Sequence, residues 1–202
     1  VSGFDVRSAV LWDIGGVLIH TDWASLASAW DPRLGLPPGG LLQALFGGCD
    51  DTVLVGRMSE KDWWDVVRRR LALDADGLRA LRRDLRRVEP FDQDMLRVVR
   101  DLQPGVRQGV VSNAWGDTRR HLEAAGVDAL FNTMVISAEV GVRKPGLEIF
   151  EIAIERLGVP ASSCVLIDDV AENVDAAAAL GVAGVLHRNA ALTAARVQEL
   201  VG

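Results

Sequence analysis

Five runs of four residues, AVLW at 9–12, GVVS at 109–112, TMVI at 133–136, CVLI at 164–167 and GVLH at 184–187, set the frame of this chain. Each is too short for a helix, is rich in aliphatic residues and runs into a polar residue, which is the signature of a buried strand. From Phe91 onward such runs alternate with segments of helical spacing. Phe91, Met95, Val98, Val99 and Leu102 form one apolar stripe, followed by a turn at Pro104 and Gly105. Residues 116–125 form a second helix that stops at Gly126. Phe150, Ala153, Ile154 and Leu157 form a third stripe, with Pro145 in its first turn and Gly158 at its end, and residues 172–180 form a fourth helix. Strands that alternate with helices build a parallel sheet with helices on its faces, so the expected fold class is α/β.

The first run ends differently from the others. AVLW passes into Asp13, and then at once into Gly15 and Gly16, so a buried strand delivers a carboxylate to a tight turn. Residues 21–90 then change character and contain no convincing strand. Trp63, Val66, Val67 and Leu71 recur at helical spacing, as do Leu78, Leu81, Leu85 and Val88. Ser59, three residues before Asp62, is placed to cap the first of these helices, and the stretch DPRLGLPPGG at 31–40 reads as a loop. The helical spacing puts one of Trp63 and Trp64 in the core of this unit. Eight arginines crowd into it (Arg68, Arg69, Arg70, Arg79, Arg82, Arg83, Arg86 and Arg87), interleaved with Asp74, Asp76, Asp84 and Glu89, and read as a solvated face.

A net charge of −6 argues against a general nucleic-acid or anionic-membrane binder. The two cysteines, Cys49 and Cys164, lack metal-binding or redox spacing, and no basic leader or membrane-length apolar run is present, so the expectation is a reduced, cytoplasmic setting. His121 and His187 lack ligand spacing and read as structural or exposed.

In a parallel sheet the C-terminal strand ends share one edge, where ligands bind. Asp13, Ser112 with Asn113, and Asp168 with Asp169 all fall at such ends, and Lys144, one of two lysines in the chain, lies just before a helix that starts near the same edge. Trp115, just past Ser112 and Asn113, borders that edge. Three carboxylates there would repel one another, which a hard divalent cation such as Mg²⁺ resolves. A phosphoryl group would then find the cation, the ammonium, the hydroxyl and the turn amides, with Asp13 placed to attack phosphorus.

The ordered motifs DIGGVL, VVSNA, VRKPG and LIDDVAENVDAA, with a helical insertion after the first, resemble those of the haloacid dehalogenase superfamily of hydrolases. Within it the chain is similar to the branch that holds the phosphatase domain of soluble epoxide hydrolase and small bacterial sugar-phosphate phosphatases. The resemblance implies a Rossmann-like core domain formed by residues 1–20 and 91–202, with a small α-helical cap at 21–90. It implies that Asp13 is the nucleophile and a metal ligand, and that Gly15 offers its carbonyl to the metal. Ser112 and Asn113 would hold the transferring group through the hydroxyl and an amide, and Lys144 would steady the nucleophile and the developing charge. Asp169 falls at the direct metal ligand, with Asp168 and Asn173 in the outer shell.

Family phosphatases typically carry a second acid two residues after the nucleophile, as general acid and base. Here that position is Gly15, and His20 or Asp22 is the substitute the sequence offers. The expected activity is Mg²⁺-dependent hydrolysis of a small phosphorylated metabolite through an aspartyl-phosphate. One alternative is a 2-haloacid dehalogenase, whose family members generally lack the acidic pair seen at Asp168 and Asp169. The other is a catalytically weak or non-enzymatic metal-binding regulatory protein.

Overall fold

The computed structural model describes residues 7–47, 51–102 and 105–202. Cys49 and Pro104 lie outside these residues. Among them, five strands form one parallel sheet: β1 (Ala9–Trp12), β2 (Arg107–Ser112), β3 (Thr133–Ile136), β4 (Cys164–Asp168) and β5 (Ala183–Leu186), in the order β3-β2-β1-β4-β5. β1 is buried along its whole length, which explains why it reads as an unbroken apolar run rather than an alternation. Val10 and Trp12 face one cluster with Met95, Val99, Val110, Ile167 and Val197. Ala9 and Leu11 face the other, with Val135, Phe150, Leu157 and Ala177. The polar side chain on this core is paired. Gln108 accepts from Trp12 Nε1 at 3.0 Å and donates to the Val99 carbonyl at 2.8 Å.

Between β1 and the rest of the sheet lie α1 (Trp23–Trp30), α2 (Gly40–Phe46), α3 (Glu60–Arg70) and α4 (Ala75–Arg87). They pack around a cluster of their own that includes Leu26, Trp30, Leu41, Trp63, Trp64 and Leu81, so both Trp63 and Trp64 are core residues of this unit. Three of these helix starts carry a side-chain cap: Asp22 accepts from Ser25 N, Ser59 from Asp62 N and Asp74 from Gly77 N. The proline- and glycine-rich stretch carries a short 3₁₀ turn at Pro32–Leu34 and is held by buried Asp31, which accepts from the Gly39 and Leu41 amides at 2.7 Å. The two segments that join this unit to the sheet run side by side, with Asp22 N donating to the Val88 carbonyl at 2.9 Å and Ile19 bridging Phe91.

The remaining helices are α5 (Gln93–Leu102), α6 (Thr118–Ala124), α7 (Ser137–Val140), α8 (Leu147–Leu157), α9 (Ala171–Ala179) and α10 (Ala190–Val201). Pro145 stands ahead of α8 rather than in its first turn, because the helix starts after Gly146. Among the described residues no helix is long and apolar enough to cross a membrane.

Candidate active site

The strand order reverses at β1, whose neighbours β2 and β4 lead to opposite edges, and the crevice at such a reversal is where open α/β sheets bind ligands. The segments at that edge converge on one side chain. Asp13 comes directly after β1 and is buried, and its Oδ1 accepts from the Ile14 amide at 2.7 Å, from Ser112 Oγ at 2.8 Å and from Lys144 Nζ at 2.9 Å. None of these donors uses Oδ2, so the three contacts fix the carboxylate through one oxygen.

Lys144 is 1% exposed and also donates to Asp168 Oδ2 at 2.6 Å. Burial alone would lower its pKa, but Asp13 and Asp168 outweigh burial and leave it raised, so the ammonium stays charged. For Asp13 the largest influence is desolvation, which raises its pKa, and Lys144 and Ser112 act against it. Asn113 holds the loop that carries the lysine. Its Oδ1 accepts from Lys144 N at 2.8 Å and its Nδ2 donates to the Lys144 carbonyl at 2.9 Å. The Asn113 side chain is therefore committed, and the backbone amide is what the residue leaves for a substrate.

Asp168 is similarly committed. Its Oδ1 accepts from Val170 N at 3.0 Å and Asn173 Nδ2 at 2.9 Å, while Oδ2 takes Lys144. Asp169 stands beside Gly16, whose φ is +75°, and a Cβ at Gly16 would lie 2.1 Å from Asp169 Oδ2. The turn therefore needs a glycine for its backbone and for the space that the carboxylate fills. Asp13, Asp168 and Asp169 can each bring one oxygen within 4.8 Å of the others. One ammonium faces three carboxylates, and the excess negative charge on hard oxygen ligands suits a divalent cation such as Mg²⁺.

Gly15 is exposed, its φ lies outside the left-handed region, and a Cβ there meets nothing within 4 Å. The two substitutes for a second acid are placed elsewhere. Asp22 caps α1, its carboxylate held below its usual pKa by the hydroxyl and amide of Ser25. His20 is paired with Asp92 at 3.1 Å and stacks on His187, which in turn meets Thr193 Oγ1 at 2.8 Å, and neither His20 nor Asp22 lines the cavity.

That cavity, of about 650 Å³, runs from Gly15, Ser112 and Asn113 to the helical unit. Trp115 borders it, 4.2 Å from the Trp63 ring, as its sequence position suggests. Glu89 and His121 also line it, and neither was legible as a site residue in the sequence. His121 stacks on Phe91, and burial first, then the charge of Arg86, lowers its pKa. Burial pushes Glu89 up to about 7 against the opposing Arg86.

A carboxyl whose folded pKa lies above its ordinary 4.5 stabilises the fold fully below 4.5 and loses that contribution as pH rises through about 7. Glu89→Gln, which cannot ionise, is expected to match the parent's unfolding temperature near pH 4.5 and to exceed it by a few degrees at pH 8. Thermal unfolding of both proteins across that window checks it, and equal curves at pH 8 would show that Glu89 is solvated.

Comparison with known proteins places this geometry. A family model described as haloacid dehalogenase-like hydrolase matches residues 8–181. A sesquiterpene phosphatase of Aspergillus oryzae is 36% identical over 73 residues, covering 36% of this chain and 37% of that protein. A pyrimidine 5'-nucleotidase of Escherichia coli K12 is 40% identical over 67 residues, covering 32% of this chain and 30% of that protein. The matched segment thus spans about a third of the length of each curated relative. In fold, the chain superposes on a haloacid dehalogenase family enzyme of Bacteroides thetaiotaomicron, solved with magnesium and inorganic phosphate, at a TM-score of 0.75, 18% identity, and 90% and 94% coverage of the two chains.

Proposed function

This chain belongs to the haloacid dehalogenase-like hydrolases, and we propose that within them it is a Mg²⁺-dependent phosphomonoesterase of a small phosphorylated metabolite. The observation that carries this reading is the division of labour at Asp13. Three donors hold Oδ1 in place, none of them uses Oδ2, and an oxygen of Asp13 lies within 4.8 Å of oxygens of Asp168 and Asp169.

The donor set fits the metal. Asp13, Asp169 and the Gly15 carbonyl would hold it directly, with Asp168 acting from behind through Lys144 and Asn173. Bound there, Mg²⁺ supplies charge neutralisation for a phosphoryl group that the carboxylates alone would repel. Asp13 Oδ2 attacks phosphorus, the ester P–O bond breaks, and the alcohol leaves with a proton from solvent. Ser112 and the Asn113 amide orient the transferring oxygens, and Lys144 keeps the nucleophile ionised and aligned. Water then attacks phosphorus and releases Asp13. Residues 21–90 act as a cap over the crevice.

The relatives named as a sesquiterpene phosphatase and a pyrimidine 5'-nucleotidase support a phosphate ester as substrate. Asp168 and Asp169 weigh against the 2-haloacid dehalogenase reading, which needs no metal. Phosphate release from acetyl phosphate in Mg²⁺, abolished by EDTA, is the expected result. Chloride release from 2-chloropropionate that persists in EDTA would establish the dehalogenase instead, and no turnover of either would leave the regulatory reading.

Gly15 supplies no proton to the leaving group. Its open surroundings and ordinary φ accept a side chain, so Gly15→Asp is expected to raise kcat on unactivated alkyl phosphates by about 10²-fold, the lower end of what a placed general acid contributes. A drop in kcat with unchanged Mg²⁺ affinity would show that another group already serves.

A further inference from the structure

Much of the cavity lining contributed by the helical unit is made of side chains that a sugar or glycerol group does not match. Trp23 and Phe46, on α1 and α2, meet edge to face at 5.1 Å. Phe46 is 44% exposed, one of few large apolar side chains left open to solvent among the described residues, and it opens onto this cavity. Val53, Leu54 and Trp115 continue the apolar lining.

The charged lining points the same way. Arg82 lies 3.3 Å from Glu60 and 3.9 Å from Asp117, and Arg120 pairs with the same Asp117. Two of the three arginines that line the cavity are therefore already engaged by carboxylates of the same lining, and the third, Arg86, lies close enough to Glu89 to act on its charge. A second anion would compete with these pairs. A small polyol would leave the aromatic face wet and forgo the gain that covering it yields.

We propose that the cavity beyond the phosphoryl site binds a neutral, apolar alcohol moiety of about eight carbons or more, carried on a single phosphate monoester. This rests on the phosphomonoesterase reading and names its substrate class. The ester P–O bond breaks, water supplies the hydroxyl to phosphorus and the proton to the alcohol, and the apolar alcohol leaves along the Trp23–Phe46 wall.

The test compares esters with the same primary-alkyl leaving group, each with Mg²⁺. Octyl phosphate is expected to show kcat/KM at least about tenfold above ethyl phosphate and above glycerol 3-phosphate. Phe46→Asp, at an exposed position, is expected to reduce the octyl-to-ethyl ratio by about tenfold. Octylphosphonate, which is not hydrolysed, should inhibit more tightly than ethylphosphonate by a similar factor, so the class is tested by binding as well as by turnover.

Equal octyl and ethyl values, or a preference for phosphocholine or fructose 1,6-bisphosphate, would overturn the inference. Acetyl phosphate separates the two levels, because its acyl group is too small to reach the wall. Turnover of acetyl phosphate without an octyl preference removes the substrate class alone. Absence of turnover of octyl, ethyl and acetyl phosphate alike removes the phosphomonoesterase reading and the inference with it.

Discussion

Asp13→Asn is expected to cost about 10⁴-fold or more in kcat on phosphate esters while leaving the fold in place. The amide oxygen can occupy the Oδ1 position and keep the three donors from Ile14, Ser112 and Lys144. The amide nitrogen then stands where Oδ2 was, with no lone pair to offer phosphorus. The two consequences are read separately, turnover by phosphate release and folding by thermal unfolding. A variant that keeps more than about one part in a hundred of parental turnover would sink the nucleophile assignment or reveal a contaminating phosphatase.

The second large effect belongs to Lys144. In Lys144→Met the chain length is kept but the ammonium is gone, and Asp13 and Asp168 face each other without it. Both are buried, Asp168 completely, so the loss exposes an uncompensated pair of charges rather than a surface ion pair. Removing one partner of a buried pair costs about 3–5 kcal/mol. In a chain of this size that corresponds to a fall of about 10 °C in Tm. Without Lys144 to oppose it, burial carries the Asp13 pKa further up, which disfavours the ionised nucleophile and lowers turnover as well. Millimolar Mg²⁺ should raise the Tm of the variant more than that of the parent, since a divalent cation offsets the same charge. Equal responses to Mg²⁺ would mean that the three carboxylates do not form its site.

The parts of this molecule that announce themselves in sequence are those where one physical demand dominates. A strand buried on both faces favours apolar residues, so TMVI at 133–136, buried from Met134 on, coincides with β3 to the residue. Asp13, Ser112, Lys144 and Asp168 were legible because strand ends and the turns after them must share one edge, whatever else the chain does. The helical unit was harder. α1 and α2 are short and carry few apolar residues, and their packing against Trp63 is decided by tertiary contact rather than by period. The same holds for Phe46, which breaks the rule that large apolar side chains are covered. Glu89 and His121 carry no local signal, because lining a cavity depends on what lies opposite. His20 and Asp22 were credible only as near neighbours in sequence of an absent acid, and local pairing with Asp92 and Ser25 claims them first.

The paired connecting segments bear on how such a protein changes over generations. Because Asp22 N donates to the Val88 carbonyl and Asp92 N to the Leu18 carbonyl, the residues between them form a loop whose mouth is already tied. Doubling the length of a tied loop costs only about 0.6 kcal/mol in closure entropy. An insertion of different size, lined with different side chains, can therefore replace this one without disturbing β1, β4 or the carboxylates at their ends. On the proposed function, most of the side chains that would meet the substrate's alcohol could change in this way while the carboxylates stand still.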